Sequence, residues 1–168
     1  MIKSSLKYLL ALVVLILLQV LVLNHINFFG RYAPQFYLLF ILILPFETPR
    51  WILLVSGFWL GLSIDIFTDS LGLHTITTVL AAYTRYFILN FMSPRDGYDS
   101  GTAPRAIYFG FPWFIKYAIS VTILHHFTLY LFESFDITEI ATILLDTVFA
   151  SIFTVTTLVI SQLFIFRK

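Results

Sequence analysis

The chain contains no cysteine and few charged residues. Of its 168 residues, 11% are Asp, Glu, Lys or Arg, and the formal net charge is +1. The lack of cysteine excludes disulfide frameworks, thiolate nucleophiles and zinc–thiolate sites. The small net charge, with basic residues spread singly along the chain, excludes the strong positive field that gathers nucleic acid. We therefore expect neither cysteine-based chemistry nor a nucleic-acid partner.

Apolar sequence, in contrast, is abundant. Hydrophobic residues make up 60% of the chain, and the mean hydropathy is +0.94. Apolar runs of membrane-crossing length follow one another from Tyr8 to Phe166, separated by short polar breaks. No water-soluble domain of this size can hide so much apolar surface in one core. The composition therefore predicts an all-α integral membrane protein, with lipids as its surroundings.

The apolar runs predict a single domain of six transmembrane helices. Pro34 and Pro112 favour helix starts, Pro49 opens a third helix, and Asp136 with Glu139 three residues later resembles a capping box before the last one. The second span is short, and we expect it to be tilted or to lie in locally thinned bilayer. The predicted spans are residues 6–23, 34–46, 50–66, 73–92, 112–132 and 140–166.

The basic residues predict the orientation of these spans. Lys and Arg fall almost entirely on alternate breaks, and basic residues mark cytoplasmic connections because they resist translocation. A cytoplasmic N-terminus leaves only Arg31 outside, whereas five spans would send Arg167 and Lys168 across the membrane. We therefore expect six spans and two cytoplasmic termini. The basic residues then at or near the inside are Lys3, Lys7, Arg50, Arg85, Arg95, Arg105, Lys116, Arg167 and Lys168.

Two of the predicted spans carry small or polar stripes. Gly57, Gly61 and Asp65 follow at i, i+4 and i+8, which places two glycines and a carboxylate on one helix face. Such a face packs against another helix of the same bundle, which we favour, or docks a partner helix. The next span carries His74 and Arg85 at helical spacing, and the two stripes are candidates to face each other. Arg85 is expected to bind a carboxylate or a carbonyl, or to reach the headgroups.

Further polar residues lie inside the apolar runs. These are Gln19 in the first span, His125 and His126 in the fifth, and Asp146 at the start of a hydroxyl-rich stripe in the sixth. Adjacent histidines on a helix point about 100° apart, so they do not ligate one metal ion as an i, i+4 pair does. We expect no metal, no cofactor and no catalytic residue, and interpret these side chains as hydrogen-bonding groups between helices.

The longest hydrophilic break carries Arg95, Asp96 and Arg105 among turn-forming residues. It is interpreted either as a plain connector or as a cytoplasmic docking loop for a soluble partner.

The stretch Gly61-Leu-Ser-Ile-Asp65-Ile-Phe-Thr-Asp69-Ser-Leu-Gly72-Leu-His74 resembles the signature region of the MreD family of rod shape-determining proteins. Other motifs resemble a Gram-negative branch of that family, so the resemblance covers essentially the whole chain. They are Leu18-Gln19-Val20 to Asn24, Pro34, Pro49-Arg50-Trp51, Ser93-Pro-Arg-Asp-Gly97 and His125-His126-Phe127.

This resemblance implies a six-helix fold similar to that of the substrate-binding subunits of energy-coupling-factor transporters. It also implies a place in the cell-wall elongation complex of the bacterial cytoplasmic (inner) membrane, which serves peptidoglycan synthesis and cell shape. The implied partners are MreC, which crosses the membrane once, the MreB filament, the polymerase RodA and the transpeptidase PBP2.

Three hypotheses follow for the function. In the first, the chain is a non-enzymatic scaffold whose glycine-faced helices and acidic outer breaks, Asp69 among them, dock the MreC helix. In the second, it is the small-molecule-binding subunit of a transporter, with a ligand lined by Gln19, Asp65, His74 and Asp146. In the third, which we rank last, it is an intramembrane hydrolase that uses His125, His126 and Asp146.

Overall fold

The computed structural model describes residues 2–26, 32–99 and 101–164. Arg31, Arg167 and Lys168, on which the predicted orientation partly depends, lie outside these ranges. Within them every regular element is a helix, and the predicted all-helical fold is confirmed.

The described residues form seven α-helices, and a 3₁₀ turn precedes or follows two of them. The 3₁₀ turns are Leu23–His25 after α1 and Ile137–Glu139 before α7. The α-helices are α1 (Ile2–Leu21), α2 (Leu38–Ile43), α3 (Arg50–Thr68), α4 (Leu73–Phe91), α5 (Ala106–Phe109), α6 (Phe111–Ser134) and α7 (Ile140–Phe164).

Within the described ranges, three helical segments are long and apolar enough to cross a membrane, namely Leu6–His25, Arg50–Thr68 and Ile140–Phe164. This finding is compatible with a membrane protein. Helices α4 and α6 have 19 and 24 residues, enough for a crossing of about 30 Å, but several of their buried positions hold polar side chains. The bounds of α3, α4, α6 and α7 lie close to those of the corresponding predicted spans.

The second predicted span differs most from the structure. The sequence predicts a helix over residues 34–46, whereas α2 has only six residues. At about 1.5 Å per residue such a helix is roughly 9 Å long, far short of a bilayer crossing. It lies in the centre of the bundle, where Leu38, Ile41 and Leu42 are fully buried. The polar backbone on either side of it is tolerated because neighbouring helices enclose it.

The long helices surround α2. Helices α3 and α4 form an antiparallel hairpin, α6 packs against α4, and α7 packs against α6. Helix α1 contacts α2 and α3 and leaves most of its surface exposed. Apolar side chains from α1, α3, α4 and α7 point outwards, as expected for helices in lipid.

The charged residues of the described chain are divided between the two ends of this bundle. The end with the α1 N-terminus, here the basic end, holds Lys7, Arg50, Arg85, Arg95, Arg105 and Lys116, together with Glu47, Asp96 and Asp99. The opposite, acidic end holds Asp65, Asp69, Glu133, Asp136, Glu139 and Asp146 and, within the described ranges, neither Lys nor Arg.

The capping box predicted before the last helix does not form. Asp136 Oδ1 accepts hydrogen bonds from the hydroxyl and backbone N–H of Thr138, at 2.7 and 2.8 Å. These two bonds hold the pKa of Asp136 below its ordinary value. The Asp136 N–H is directed to Ser134 Oγ at 3.3 Å rather than to Glu139, so the reciprocal bond of a capping box is replaced by a tight local turn.

Candidate functional site

The buried polar side chains of the bundle converge on α2 and on the start of α4. Gln19, fully buried on α1, binds the segment that leads into α2. Its Oε1 accepts the backbone N–H groups of Phe36 and Tyr37 at 2.8 and 3.3 Å. Its Nε2 donates to the Pro34 carbonyl at 3.0 Å. Gln19 therefore replaces the backbone partners that the short helix lacks at its N-terminal end.

At the C-terminal end of α2, Arg85 of α4 binds a backbone carbonyl that has no partner within the short helix. Its guanidinium donates to the carbonyl of Leu44, which ends α2, and Nε donates to the Tyr117 hydroxyl at 3.0 Å. The Tyr117 hydroxyl donates in turn to the Leu42 carbonyl at 3.3 Å. Since Arg85 is 1% exposed, it binds a carbonyl, one of the expected alternatives, and does not reach the headgroups. A cation also suits the negative end of a helix dipole.

Asp65 caps helix α4 from the end of α3. Its carboxylate accepts the backbone N–H groups of His74 and Thr75 at 2.9 and 2.8 Å. It also accepts the hydroxyls of Ser70 and Thr75 at 2.6 and 2.5 Å. The residue before α4 is Gly72, whose φ of +91° suits glycine and which has no side chain to cap the helix. Asp65 thus supplies the missing N-terminal cap across the turn.

The glycine face of α3 lies against α4. A Cβ added to Gly61 would stand 2.5 Å from Thr75 Cα and 2.6 Å from the His74 carbonyl oxygen. One added to Gly57 would stand 3.2 Å from Ala82 Cβ. The two stripes that the sequence singled out therefore face each other, and the glycines lie inside the chain's own hairpin, away from any face open to a partner.

Asp69 is the residue that caps the C-terminal end of α3, and its side chain is exposed. It follows α3 with a left-handed φ of 53°, and its backbone N–H donates to the Asp65 carbonyl. Its side chain is exposed at the acidic end, whereas Asp65 is turned inwards. The two aspartates of the signature region therefore have different surroundings.

Two histidines, His74 of α4 and His125 of α6, contact the fully buried ring of Tyr37, and the ring of His126 lies next to that of His125. Nε2 of His125 lies 3.0 Å from the Tyr37 hydroxyl and 3.2 Å from the Thr77 hydroxyl. The His74 ring stacks on Tyr37 with 6.1 Å between centroids, and its Nδ1 lies 3.9 Å from Asp65. Nε2 of His126 lies 3.0 Å from the hydroxyl of Thr154. These contacts join the segment around α2 with α4, α6 and α7.

The residues named in the hydrolase hypothesis, His125, His126 and Asp146, contact different hydroxyl groups. Within the part of the chain that the structure describes, no group of three or more His, Asp or Glu side chains is arranged to hold a metal ion. His125 and His126 contact hydroxyl groups, and Asp146 accepts the Tyr32 hydroxyl at 2.6 Å. Asp146 also lines a polar pocket of about 260 Å³ with Glu133 and Glu139.

The loop at the basic end has an exposed tip and a packed base. Arg95 and Asp96 are exposed, whereas Arg105 is half-buried at the start of α5. The ring of Tyr98 stacks on Phe46 at 3.9 Å, and its hydroxyl donates to the Leu89 carbonyl at 2.8 Å. Burial raises the pKa of Tyr98 to about 12. The loop is therefore anchored and presents a short charged tip.

Sequence reasoning missed several of the residues that organise this interior. Tyr37, Thr77 and Tyr117 each bind a predicted site residue, but they were not singled out because single tyrosines and threonines are ordinary in apolar spans. The Tyr98 anchor was missed as well. Thr154 was part of the hydroxyl stripe, where it accepts the backbone N–H of Gln35 at 3.0 Å.

Comparison of the chain with protein-family models, with curated proteins and with solved structures gave no match.

Proposed function

We propose that the chain is a non-enzymatic scaffold of the MreD type in the bacterial inner membrane. The five long helices and the enclosed segment around α2 make six passages of alternating direction, which keep both termini on the cytoplasmic side. The fold is of the kind found in the substrate-binding subunits of energy-coupling-factor transporters. Its partners are MreC in the membrane, and MreB, RodA and PBP2 in the wider elongation complex.

One observation carries this proposal beyond the sequence resemblance: the centre of the bundle is filled by α2. Leu38, Ile41 and Leu42 are fully buried there. Gln19, Asp65 and His74, three of the four residues that the transporter hypothesis assigns to a ligand, are directed at protein groups instead, and the fourth, Asp146, accepts the Tyr32 hydroxyl. A bundle whose interior polar groups are used to hold its own backbone favours a role in presenting outer surfaces to other proteins.

The signature region supports the same conclusion in a different way. Gly61 lets α3 approach α4 closely, and Asp65 and Gly72 shape the turn between the two helices. Residues of this kind fix the shape of the hairpin and need no substrate to explain them. The remaining outer surface, including the acidic end and the tip at Arg95, is available to partners.

The test is affinity purification of the tagged chain from gently solubilised membranes of a rod-shaped host. We expect a single-pass protein with a periplasmic coiled coil at near-stoichiometric level, together with wall-synthesis enzymes. An unrelated multi-pass membrane protein with the same tag serves as the control. Recovery of an ATPase module and a coupling subunit in their place would contradict the scaffold and support the transporter hypothesis.

A further inference from the structure

A wide groove opens between α1 and α3 at the basic end of the bundle. Its volume is about 660 Å³. One wall carries Tyr8 and Leu9 of α1, and the other carries Ile52 and Ser56 of α3. Phe40 from α2 lines it as well, although this residue is only 3% exposed. The groove is the place where the central helix contributes to an outer surface.

The walls of the groove are suited to a helix rather than to a small polar ligand. They are mainly apolar, and Ser56 is a small residue on α3 that lets another backbone approach closely. Helix α1 is the least enclosed of the three membrane-crossing segments, since only 17% of its apolar window is buried. In lipid, such a helix gains stability chiefly by packing against a further helix.

Charge distinguishes between the possible occupants. Glu47 is the one charged side chain among the described residues that line the groove, and it is exposed at the basic end. A phospholipid would bring its phosphate towards this carboxylate, which is unfavourable. A transmembrane helix with its N-terminus in the cytoplasm carries Lys or Arg at that level, by the rule that places basic residues inside. Glu47 complements such a flank.

We propose that this groove binds the transmembrane helix of a single-pass partner and that Glu47 pairs with the partner's basic cytoplasmic flank. The inference rests on the proposed function, which supplies a single-pass partner. A second copy of the chain is the competing occupant, because its own α1 also carries lysines next to its apolar run, and the crosslinked products distinguish the two.

Photo-crosslinking locates the occupant directly. p-Benzoylphenylalanine is placed at position 52 or 56 in the groove, and at position 152 on α7 as a matched membrane-facing control. In cells we expect an adduct with the single-pass partner from positions 52 and 56 and none from position 152. Adducts of lipid mass, or of two copies of the chain, overturn the proposal, as does partner capture from position 152 alone.

Two pairs of variants test the walls and the charge. Ser56→Trp fills the groove, and Thr156→Trp makes the same change on α7. Glu47→Lys reverses the groove charge, and Asp99→Lys does so at the same end outside the groove. We expect Ser56→Trp and Glu47→Lys each to reduce the partner recovered per purified chain by roughly tenfold, whereas the controls retain it. Equal recovery with all four variants overturns the proposal.

The two proposals fail in distinguishable ways. If the single-pass partner copurifies but the groove positions do not capture it, the groove assignment is wrong and the scaffold stands. If no such partner copurifies with the unmodified chain, the proposed function itself fails. A folded-protein check by size-exclusion chromatography separates lost binding from lost folding in each variant.

Discussion

Single polar residues in this bundle form hydrogen bonds with groups that are far away in the sequence. Gln19 binds a backbone segment fifteen to eighteen residues away. Arg85 binds a carbonyl forty-one residues before it. Because an unsatisfied backbone group in hydrocarbon costs several kcal/mol, each of these side chains matters more to folding than its single position suggests. Polar residues inside apolar spans are here mainly structural.

Asp65 gives the clearest test at this scale. Asp65→Ala leaves the N–H groups of His74 and Thr75 without their acceptor. We expect it to lower the free energy of unfolding by about 1–3 kcal/mol, the usual cost of stranding buried donors. The measurement is denaturant unfolding of the purified protein in detergent micelles.

The matched control for that measurement is Asp69→Asn. The side chain of Asp69 is exposed and its backbone has a left-handed conformation, which asparagine tolerates. We expect a change within about 0.5 kcal/mol. Equal destabilisation by the two substitutions would contradict the capping role of Asp65.

At the level of the helices, the α3–α4 hairpin and α2 stabilise each other through contacts at their ends. The hairpin brings Arg85 to the C-terminal end of α2, while α2 places Tyr37 between His74 and His125. The bundle is thus held by a few polar contacts at fixed depths as well as by apolar packing.

Substitutions of the two glycines of α3 test how closely α3 packs against α4. In Gly61→Ala the new methyl meets α4 backbone at 2.5 Å, so α3 and α4 must separate, at a cost of about 1–3 kcal/mol. In Gly57→Ala the nearest contacts are 3.2 Å, and the gain in helix propensity of up to about 1 kcal/mol offsets the crowding. We expect a clearly lower unfolding midpoint for the first variant only.

The long helices were predictable from sequence because apolar periodicity and length act locally. The bounds of α3 and α6 lie within a few residues of the predicted spans. Helix α2 was not predictable in the same way. Its apolar run suggested a membrane crossing, but its start at Leu38 depends on Gln19 and Thr154, which lie far away in sequence.

The candidate site likewise has a part that the sequence predicts and a part that it does not. Hydropathy and spacing identified Gln19, Asp65 and Arg85 as unusual, because each is a polar residue in an apolar run. Their partners are backbone groups, which are identical at every position and leave no signature in the sequence. Which backbone each one binds emerges only when the helices are assembled.

For the whole molecule, the division of charge between the two ends predicts the orientation in the membrane. The chain has no native cysteine, so single cysteines report without background. Ser93→Cys lies at the basic end and Glu133→Cys at the acidic end, and both positions are exposed. We expect a membrane-impermeant maleimide to label Glu133→Cys in cells with a permeabilised outer membrane, because basic ends stay inside.

Ser93→Cys should react only after the inner membrane has been opened. The reverse labelling pattern would show that the orientation in the membrane is opposite to the predicted one. Labelling of both positions from outside would place the two ends of the bundle on one side of the membrane.

The brevity of α2 also constrains how the protein is made. Its six residues carry too few internal hydrogen bonds to enter lipid as an independent helix. Gln19, which binds its N-terminal flank, is synthesised earlier, but Arg85 and Thr154, which bind further backbone groups of its flanks, are synthesised later. Insertion therefore does not proceed strictly helix by helix from the N-terminus. The segment around α2 is completely buried only after α4 and α7 have been synthesised, so the completion of α7 is a condition for the burial of α2.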